Sequence, residues 1–347
     1  MFSRHPANPI ITPKSIQPSQ DGYEVIGTFN TGVTVYQDEI ILLIRVAERP
    51  INPNKDQVLA PHLNTKNELT VTRFQRSDWR FDFSDSRIIQ NKQTDELFLT
   101  SMSHLRIGRS KNGVDFEISP IPWIKPSIEE ESFGIEDARI TLIGDTYYIN
   151  YSSISPNGVA TGLVSTTDFV NITRHGIIFP PANRDVTFFS EKINGKYVCY
   201  HRPMPGMFGG YNIWTASSPD MVHWGEHRAV LTANTEGWES GRVGGGAPPL
   251  KTQYGWLSIY HAADKNDRYC LGAYLSSFDD PAHIIGRSLD PIFTPEASYE
   301  VNGFFGNVVF TCGAILQDDV VKMYYGAADE SIGLAEAPLS VILAALK

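Results

Sequence analysis

Apolar and polar residues alternate along many short segments of the chain, which is the period of a β-strand with one buried face. Each of the clearest segments is followed by a polar loop and a second segment of the same kind. These segments are TYYINYSS (146–153), KYVCYHRP (196–203), GWLSIYHAAD (255–264) and VKMYYGAAD (321–329). They begin 50 to 66 residues apart. This spacing is typical of a repeat unit of four strands.

An earlier copy of the repeat begins with EIILLIRVAERP (39–50). Its partner strand is predicted in LRIGRSKNGVDF (105–116), because the end of this segment is similar to the ends of the later partners. The pairing leaves residues 51–102 as an insertion with strands of its own. Counting in this way predicts five units, whereas counting the insertion as a unit would give six.

Radial repetition of four-stranded sheets predicts a β-propeller, in which closure of the ring protects the edge strands. We therefore expect an all-β fold, a five-bladed β-propeller that forms a single domain over residues 1–347. Residues 51–102 would be an insertion in the first blade, and LSVILAAL (339–346) a short C-terminal helix. A β-sandwich is less compatible with the spacing of these segments, because turns in a β-sandwich recur every ~8–12 residues. A β-helix would have a much shorter period.

Composition and charge narrow the possible ligands. Hydrophobic residues make up 41% of the 347 residues and charged residues 20%, as in a globular protein with a large core. The net charge of -10 opposes binding to nucleic acid and to anionic membranes. No segment has the pattern of a membrane span or a signal peptide, so we expect a cytoplasmic protein. The cysteines Cys199, Cys270 and Cys312 are far apart and odd in number, which predicts three buried thiols.

Polar residues stand where the predicted strands and the loops between units end. If the first strand of each unit lines a central channel, these residues meet at one mouth of the channel. Basic groups from several units would then form an anion site, because the planar guanidinium of arginine binds phosphate through two hydrogen bonds. The residues concerned are Asn30, Arg45, Arg49, residues 136–139 (EDAR), residues 183–185 (NRD), His201, Arg202, His261 and Asp329.

Asp137, in the segment FGIEDARI, is the candidate acid. Burial raises the pKa of a carboxyl group, which would let it donate a proton at neutral pH. Alternatively, Glu136 and Asp137 pair with Arg139 and have only a structural role. A standard glycosidase needs two carboxyl groups, whereas an anion that attacks the substrate itself needs only one protein acid. One acid beside an anion site therefore points to phosphorolysis.

Two further features carry less information. The glycine-rich segment 238–249 (WESGRVGGGAPP) matches no nucleotide-binding pattern, and its glycines are expected to permit close approach of the backbone. Several aromatic residues are candidates for stacking on sugar rings, although core packing is the commoner role for each of them. They are Tyr148, Phe188, Trp214 and Tyr260.

Long motifs follow one another through nearly the whole chain. They include VIGTFNTGVTVYQDEIILLIRVAERP, FGIEDARITLIGDTYYINYS, NRDVTFFSEKINGKYVCYHRP and WESGRVGGGAPPLKTQYGWLSIYHAAD. In wording and order they resemble the β-mannoside phosphorylases of glycoside hydrolase family 130, which are five-bladed β-propellers. The RVAERP and FGIEDARI segments are most similar to the branch that acts on β-1,2-linked mannobiose and oligomannan.

The resemblance implies a role for each of nine residues. Asp137 would be the general acid, whose proton reaches the glycosidic oxygen through a hydroxyl of the bound mannose. The residues expected to hold this mannose are Asn30, Thr31, Arg45 and Asp329. The residues expected to hold phosphate are Arg184, Arg202, His261 and Tyr269. Phosphate, a co-substrate, would attack with inversion and give α-D-mannose 1-phosphate and a chain shortened by one sugar; no metal or organic cofactor is implied.

Three alternatives stay open at this point. A hydrolase of the same family would lack the basic cluster and use a second carboxylate, for which Glu239 is the candidate, to activate water. A phosphorylase of the same family could act on β-1,4-linked mannosides. A sugar-binding propeller without catalysis would place Asp137 far from the basic cluster. The expected partners are small molecules, the mannoside and phosphate, and further copies of the chain where it forms a homo-oligomer.

Overall fold

The computed structural model describes residues 1–347, and nearly all of its regular structure is β-strand. Its two α-helices are α1 (Ser298–Val301) and α2 (Leu339–Ala344), and α2 lies where a C-terminal helix is expected. Neither helix combines the length with the apolar character that crossing a membrane requires. The strands in chain order are β1 (Ser3–Arg4), β2 (Tyr23–Tyr36), β3 (Glu39–Pro50), β4 (Gln57–Leu63), β5 (Leu69–Gln75), β6 (Phe81–Asp82), β7 (Ile88–Asn91), β8 (Leu97–Leu99), β9 (Met102–Ser110), β10 (Glu117–Ile118), β11 (Gly134–Ile143), β12 (Thr146–Ser155), β13 (Gly158–Thr166), β14 (Thr173–Phe179), β15 (Asn183–Phe188), β16 (Tyr197–Pro203), β17 (Ile213–Ser218), β18 (Gly225–Leu231), β19 (Arg242–Gly245), β20 (Leu250–Lys251), β21 (Trp256–Ala263), β22 (Tyr269–Ser276), β23 (Ile284–Arg287), β24 (Val309–Gln317), β25 (Val320–Ala327) and β26 (Ser331–Pro338).

Five antiparallel groups of four strands contain most of these strands, which confirms the all-β class. Sheet I consists of β2, β3, β9 and β10, sheet II of β11 to β14, and sheet III of β15 to β18. Sheet IV consists of β19, β21, β22 and β23, with β20 also paired to β21, and sheet V of β24, β25, β26 and β1. Sheets I and II touch through one parallel pair, Gly134 with Ser103. A Cβ on Gly134 would lie 2.9 Å from the Ser103 backbone nitrogen, so glycine permits this approach.

The first strand of each unit is not the one that the alternation predicted. The segments expected to begin the units correspond to β3, β12, β16, β21 and β25, and each is the second strand of its sheet. The true first strands are β2, β11, β15, β19 and β24. In β2, β11, β15 and β24 a shift of pairing register interrupts the strand, and β19 (Arg242–Gly245) is short and glycine-rich. Alternation is therefore hard to detect in them.

The N-terminal strand completes sheet V. Ser3 stands opposite Glu336 and Arg4 opposite Ala335, so β1 is the outer strand beside β26. Two residues are too few to show a period in the sequence, and this pairing was not predicted. It brings the two ends of the chain into one sheet.

Apolar clusters fill the space between consecutive sheets, including the space between sheets V and I. Strand β3 shows how alternation builds them, because successive side chains point to opposite faces of a sheet. Ile41 and Leu43 pack between sheets I and II, whereas Leu42 and Ile44 pack between sheets V and I. A strand buried on both faces thus reads as a continuous apolar run. The three cysteines are buried and unpaired, as predicted.

The range expected to be an insertion, residues 51–102, contains two small sheets of its own. Strands β4 and β5 form a hairpin, and β6, β7 and β8 form a second sheet. Ala60, Phe74 and Ile89 make a separate small core for this region. Its last segments reach the cavity described below, so the region contributes to the site.

The same buried arrangement of three side chains recurs in three sheets, at the point where the chain enters each sheet. A glutamate just before the first strand accepts a hydrogen bond from a tyrosine hydroxyl of the second strand and pairs with an arginine of the outer strand. The three sets are Glu131–Tyr151–Arg174, Glu239–Tyr260–Arg287 and Glu300–Tyr325–Arg4. The recurrence in sheets II, IV and V indicates a structural role, fixing the entering segment to the sheet.

Replacing Glu300 with glutamine is expected to lower the free energy of unfolding by about 3 kcal/mol, because it breaks a buried ion pair. Arg4 provides a matched control, since it contacts the fully buried Glu300 side chain at 2.7 Å and the 68%-exposed Glu296 side chain at 3.3 Å. Glu296→Gln should change stability by less than about 1 kcal/mol. Urea unfolding of the two variants measures the difference, and equal losses would contradict the structural role.

Candidate active site

A cavity of about 470 Å³ receives side chains from all five sheets and from the region of residues 51–102. Eight of the nine residues to which a role was assigned from the sequence line it. They are Asn30, Arg45, Asp137, Arg184, Arg202, His261, Tyr269 and Asp329. Residues more than 290 positions apart in the chain thus meet in one space.

Three polar residues of the cavity occupy the same position in successive sheets. Asn30, Asp137 and Asp185 lie in the first strands of sheets I, II and III, each at a shift of pairing register. Their φ angles are 49°, 53° and 58°. Asparagine and aspartate tolerate this left-handed conformation better than most residues. Such bulges turn a side chain away from the regular alternation of the strand, and here they direct three polar groups into the cavity.

Asp137 lies in a network of hydrogen bonds at one side of the cavity. Its Oδ1 accepts from Arg45 Nη1 at 2.9 Å and from Asn30 Nδ2 at 2.9 Å. Arg45 Nη2 donates to Glu136 Oε1 at 2.8 Å, and the guanidinium lies 4.4 Å from the centre of the Phe29 ring. The expected sugar-binding groups therefore surround the candidate acid. Arg139 contacts the main-chain carbonyl of Asp137 and not its carboxylate.

The pKa values of Asp137 and Asp329 differ from the expectation. Burial acts to raise the pKa of the Asp137 carboxyl, but Arg45, Arg139 and the Asn30 amide outweigh it, so the pKa lies below its ordinary value. Burial raises the pKa of Asp329 to about 6. Arg45 acts to lower this pKa but only partly offsets the burial, and the negative charge of Asp137 raises it further. The prediction of a raised pKa for Asp137 is wrong for the free protein. The proton held near pH 6 lies on Asp329.

A pH dependence of stability follows from Asp329. Between its ordinary pKa of 3.8 and about 6, the folded protein keeps a proton that the unfolded chain has lost, so this group makes stability fall as pH rises. Asp329→Asn removes this pH dependence. The substitution is therefore expected to change the free energy of unfolding more favourably at pH 7 than at pH 4, by roughly 2 kcal/mol. Denaturant unfolding of wild type and variant at both pH values tests this. A difference that does not change with pH would contradict the raised pKa.

Asp185 is the centre of the opposite side of the cavity. Its carboxylate accepts from Arg202 Nε at 2.6 Å and lies 3.3 Å from both Arg139 Nη2 and His261 Nε2. Burial opposes ionisation, but these neighbours hold the pKa of Asp185 well below its ordinary value. A Cβ on Gly244 would lie 2.5 Å from Asp185 Oδ2, which confirms that a glycine of the predicted segment permits close approach. The sequence indicated the position of Asp185 but no role for it.

The groups expected to hold phosphate comprise two arginine cations, the His261 imidazole and the Tyr269 hydroxyl. The Arg184 side chain makes no hydrogen bond within the protein, and its Nη1 lies 3.9 Å from Glu136 Oε2. The terminal nitrogens of Arg202 make no hydrogen bond to the protein, since only its Nε donates to Asp185. Burial lowers the pKa of His261 and raises that of Tyr269, so both are neutral at pH 7. The arrangement suits an anion. No group of three or more His, Cys, Asp or Glu side chains is arranged to hold a metal ion.

Thr31 is the exception among the nine residues. It is fully buried, and its hydroxyl donates to the Gly32 carbonyl at 3.0 Å, so its side chain does not reach the cavity. Two other polar residues expected at the mouth also lie elsewhere. Arg49 pairs with Glu24 at 2.7 Å, and His201 packs on Phe179 with ring centres 4.8 Å apart. His201 precedes Arg202 on β16, and successive side chains of a strand point to opposite faces. Arg49 lies near the end of β3, where its side chain is 44% exposed.

The aromatic residues considered for sugar stacking do not line the cavity. Phe188 stacks on Trp224, and Tyr260 packs beside Tyr274; neither lines the cavity. Tyr148 and Trp214 are absent from its walls as well. The aromatic residues that do line it are Phe29, Tyr211, Tyr269, Phe304, Phe305 and Phe310.

Two arginines of the cavity were not identified from the sequence. Arg242 begins β19 and donates to the Tyr269 hydroxyl at 2.8 Å and to Asp267 at 2.6 Å. Arg87 comes from the region of residues 51–102, and its guanidinium lies 4.6 Å from the centre of the Phe305 ring. Neither stands at the end of a predicted strand, which was the signal used to select candidates.

Comparison with known proteins identifies the family. The model of glycoside hydrolase family 130, described as beta-1,4-mannooligosaccharide phosphorylase, matches residues 86–347. The chain belongs to glycoside hydrolase family 130. This confirms the resemblance seen in the motifs.

Relatives within family 130 are similar over most of the chain. A beta-1,2-mannobiose phosphorylase from Listeria innocua is 48% identical over 343 residues, 98% of this chain and 97% of the relative. A 1,2-beta-oligomannan phosphorylase from Thermoanaerobacter sp. is 40% identical over 67% of this chain and 78% of its own. The Listeria innocua enzyme in complex with beta-1,2-mannobiose superposes with a TM-score of 0.96 at 47% identity, covering 99% of both chains.

Glu239, the candidate base for a family 130 hydrolase, does not line the cavity. It is 1% exposed and is bonded to Tyr260, Arg287 and Asn234. Glutamates at the same position of sheets II and V have equivalent contacts, so its surroundings are explained by structure alone. Glu239 is therefore not placed to activate a water molecule at the site.

Proposed function

We propose that the protein cleaves β-1,2-linked mannosides by phosphorolysis, giving α-D-mannose 1-phosphate and a chain shortened by one sugar. The observation that carries the proposal is the pair Arg184 and Arg202, whose unengaged guanidinium nitrogens line the same cavity as Asp137. An anion site in a protein with a net charge of -10 needs such a local cluster. The relatives acting on β-1,2-mannobiose and β-1,2-oligomannan support the linkage.

The proposed reaction divides the cavity into two sides. Asn30, Arg45 and Asp329 hold the mannose whose bond is cleaved, and Arg184 and Arg202 hold phosphate with His261 and Tyr269. A phosphate oxygen forms a bond to the anomeric carbon while the bond from that carbon to the glycosidic oxygen breaks. Attack from the side opposite the leaving group converts a β-mannoside into an α-phosphate.

The leaving oxygen takes up a proton, which Asp137 supplies through a hydroxyl of the bound mannose. In the free protein the proton available near pH 6 lies on Asp329, because Arg45 and Asn30 stabilise the ionised form of Asp137. The charge of the Asp137 carboxylate also acts to raise the pKa of Asp329, so the titrations of the two carboxyl groups are coupled. For the proposed reaction, Asp137 must take up a proton once the mannoside is bound.

We also propose that sheets I to V are the blades of a five-bladed β-propeller. The apolar clusters between consecutive sheets, including V and I, support a closed ring. Packing of β2 on both β11 and β24 supports the same arrangement. In such a ring the first strands surround the axis, and their bulges carry the site residues.

Product analysis with two disaccharides tests the proposed function. β-1,2-Mannobiose and β-1,4-mannobiose are each incubated with the protein, with and without inorganic phosphate. We expect mannose 1-phosphate from the β-1,2-linked sugar only, and only with phosphate. Release of mannose without phosphate would indicate a hydrolase, preference for the second sugar a β-1,4 phosphorylase, and no product from either a binding protein.

A further inference from the structure

Arg242 joins three neighbouring strands of sheet IV at the wall of the cavity. Arg242 and Tyr269 are both paired with Ala263, one from each side, so the three residues stand in a row across β19, β21 and β22. Ala263 is fully buried and small. The guanidinium of Arg242 therefore reaches over it to the Tyr269 hydroxyl, to which Nη1 donates at 2.8 Å.

The direction of this hydrogen bond determines what Tyr269 can do. The hydroxyl oxygen accepts from Arg242, so the hydroxyl hydrogen is left to donate to another group. Asp267 binds Arg242 Nη2 at 2.6 Å and holds the guanidinium in place. Arg242, Asp267 and Tyr269 all line the cavity, beside His261. The hydroxyl hydrogen of Tyr269 is thus available to an anion held there.

A second contact extends the effect of Arg242 to Arg202. The Tyr211 ring centre lies 5.7 Å from the Arg242 guanidinium and 5.4 Å from that of Arg202, distances at which cations and aromatic rings attract. The main chain of Tyr211 also accepts a hydrogen bond from Val243, the residue after Arg242, at 2.9 Å. Tyr211 therefore connects the two arginines along one wall.

We propose that Arg242 is a positioning residue of the phosphate site, acting through Tyr269 and Tyr211. It orients the Tyr269 hydroxyl so that its hydrogen points to phosphate, and it keeps the Arg202 side of the wall in place. The inference rests on the proposed function, since it assigns phosphate to this part of the cavity. It predicts that loss of Arg242 weakens the binding of phosphate and leaves the binding of the mannoside unaffected.

Steady-state kinetics of Arg242→Gln test the proposal. We expect the KM for phosphate to rise about 10-fold or more, as for loss of an oriented hydrogen bond to a charged ligand, with the KM for β-1,2-mannobiose changed less than about twofold. Arg242→Lys should recover part of the loss. Arg228→Gln, which removes an exposed pair with Asp280, is the matched control and should behave as wild type. Equal changes in both KM values would overturn the proposal.

A double mutant separates positioning from general damage. If Arg242 acts largely through Tyr269, then adding Arg242→Gln to Tyr269→Phe should raise the KM for phosphate by much less than it does in wild type. Fully additive effects would overturn the proposal. If Arg242→Gln folds poorly, phosphate binding is compared between Arg242→Lys and wild type. The measurement is then the rise in Tm that inorganic phosphate produces in each protein. Wild type that turns over without phosphate would refute the proposed function itself, before any variant is measured.

Discussion

Asp137→Asn is expected to lower kcat for β-1,2-mannobiose by about 10²- to 10⁴-fold, the usual contribution of a general acid. Asparagine has nearly the same shape as aspartate but carries no transferable proton. Arg45 retains its contact with Glu136 at 2.8 Å in the variant, so its charge stays paired and the fold should persist. The measurement is the initial rate of mannose 1-phosphate formation at saturating phosphate.

Two controls distinguish loss of chemistry from loss of structure in this variant. Asp280→Asn removes a carboxylate that is 43% exposed and paired with Arg228, and it should leave the rate unchanged. Phosphate should still raise the Tm of Asp137→Asn, because the phosphate groups on the other side of the cavity are intact. A rate within a few fold of wild type would refute Asp137 as the acid.

Arg202→Gln is expected to lower kcat/KM for phosphate by about 10²- to 10³-fold, as when a donor that stabilises a reacting oxyanion is removed. Arg202 supplies one of the two full positive charges assigned to phosphate, because His261 is neutral and Tyr269 is a neutral donor. Arg202→Lys keeps the charge but loses the planar guanidinium, so its kcat/KM for phosphate should lie between those of wild type and Arg202→Gln. Rates measured over a range of phosphate concentrations give the values.

The Arg202 variants need a structural control, because Arg202 also contacts the buried Asp185 at 2.6 Å. Arg139 and His261 remain beside Asp185 in the variants, which limits the destabilisation. Arg109→Gln breaks an ion pair with Glu39 in sheet I, outside the cavity, and should leave the kinetics unchanged. If Arg202→Gln has the phosphate dependence of wild type, phosphate does not bind to Arg202.

The strands with regular alternation were predictable from the sequence, and the strands that carry much of the site were less so. β12, β16, β21 and β25 show a clear period and were found, whereas the register shifts in β2 and β11 interrupt theirs. The bulges that conceal these first strands are also the features that direct Asn30 and Asp137 into the cavity. The same bulges therefore place the functional side chains and hide the strands from a search for regular alternation.

The residue types of the site were predictable to a greater extent than their electrostatics. Eight of nine selected residues meet in the cavity, but the pKa of Asp137 depends on Arg45, which lies 92 positions away in the chain. Arg242 was missed because its contact with Tyr269 depends on the register of both residues with Ala263. Such distances exist only after the sheets have formed.

The identity of the nucleophile tests the central claim most directly. β-1,2-Mannobiose is incubated with the protein and phosphate labelled with ¹⁸O on every oxygen, and the products are examined by ³¹P NMR and mass spectrometry. We expect α-mannose 1-phosphate that retains all the labelled oxygens, one of them bridging to the anomeric carbon, and no reaction without phosphate. Free mannose formed from the cleaved unit at the same rate with and without phosphate would contradict it.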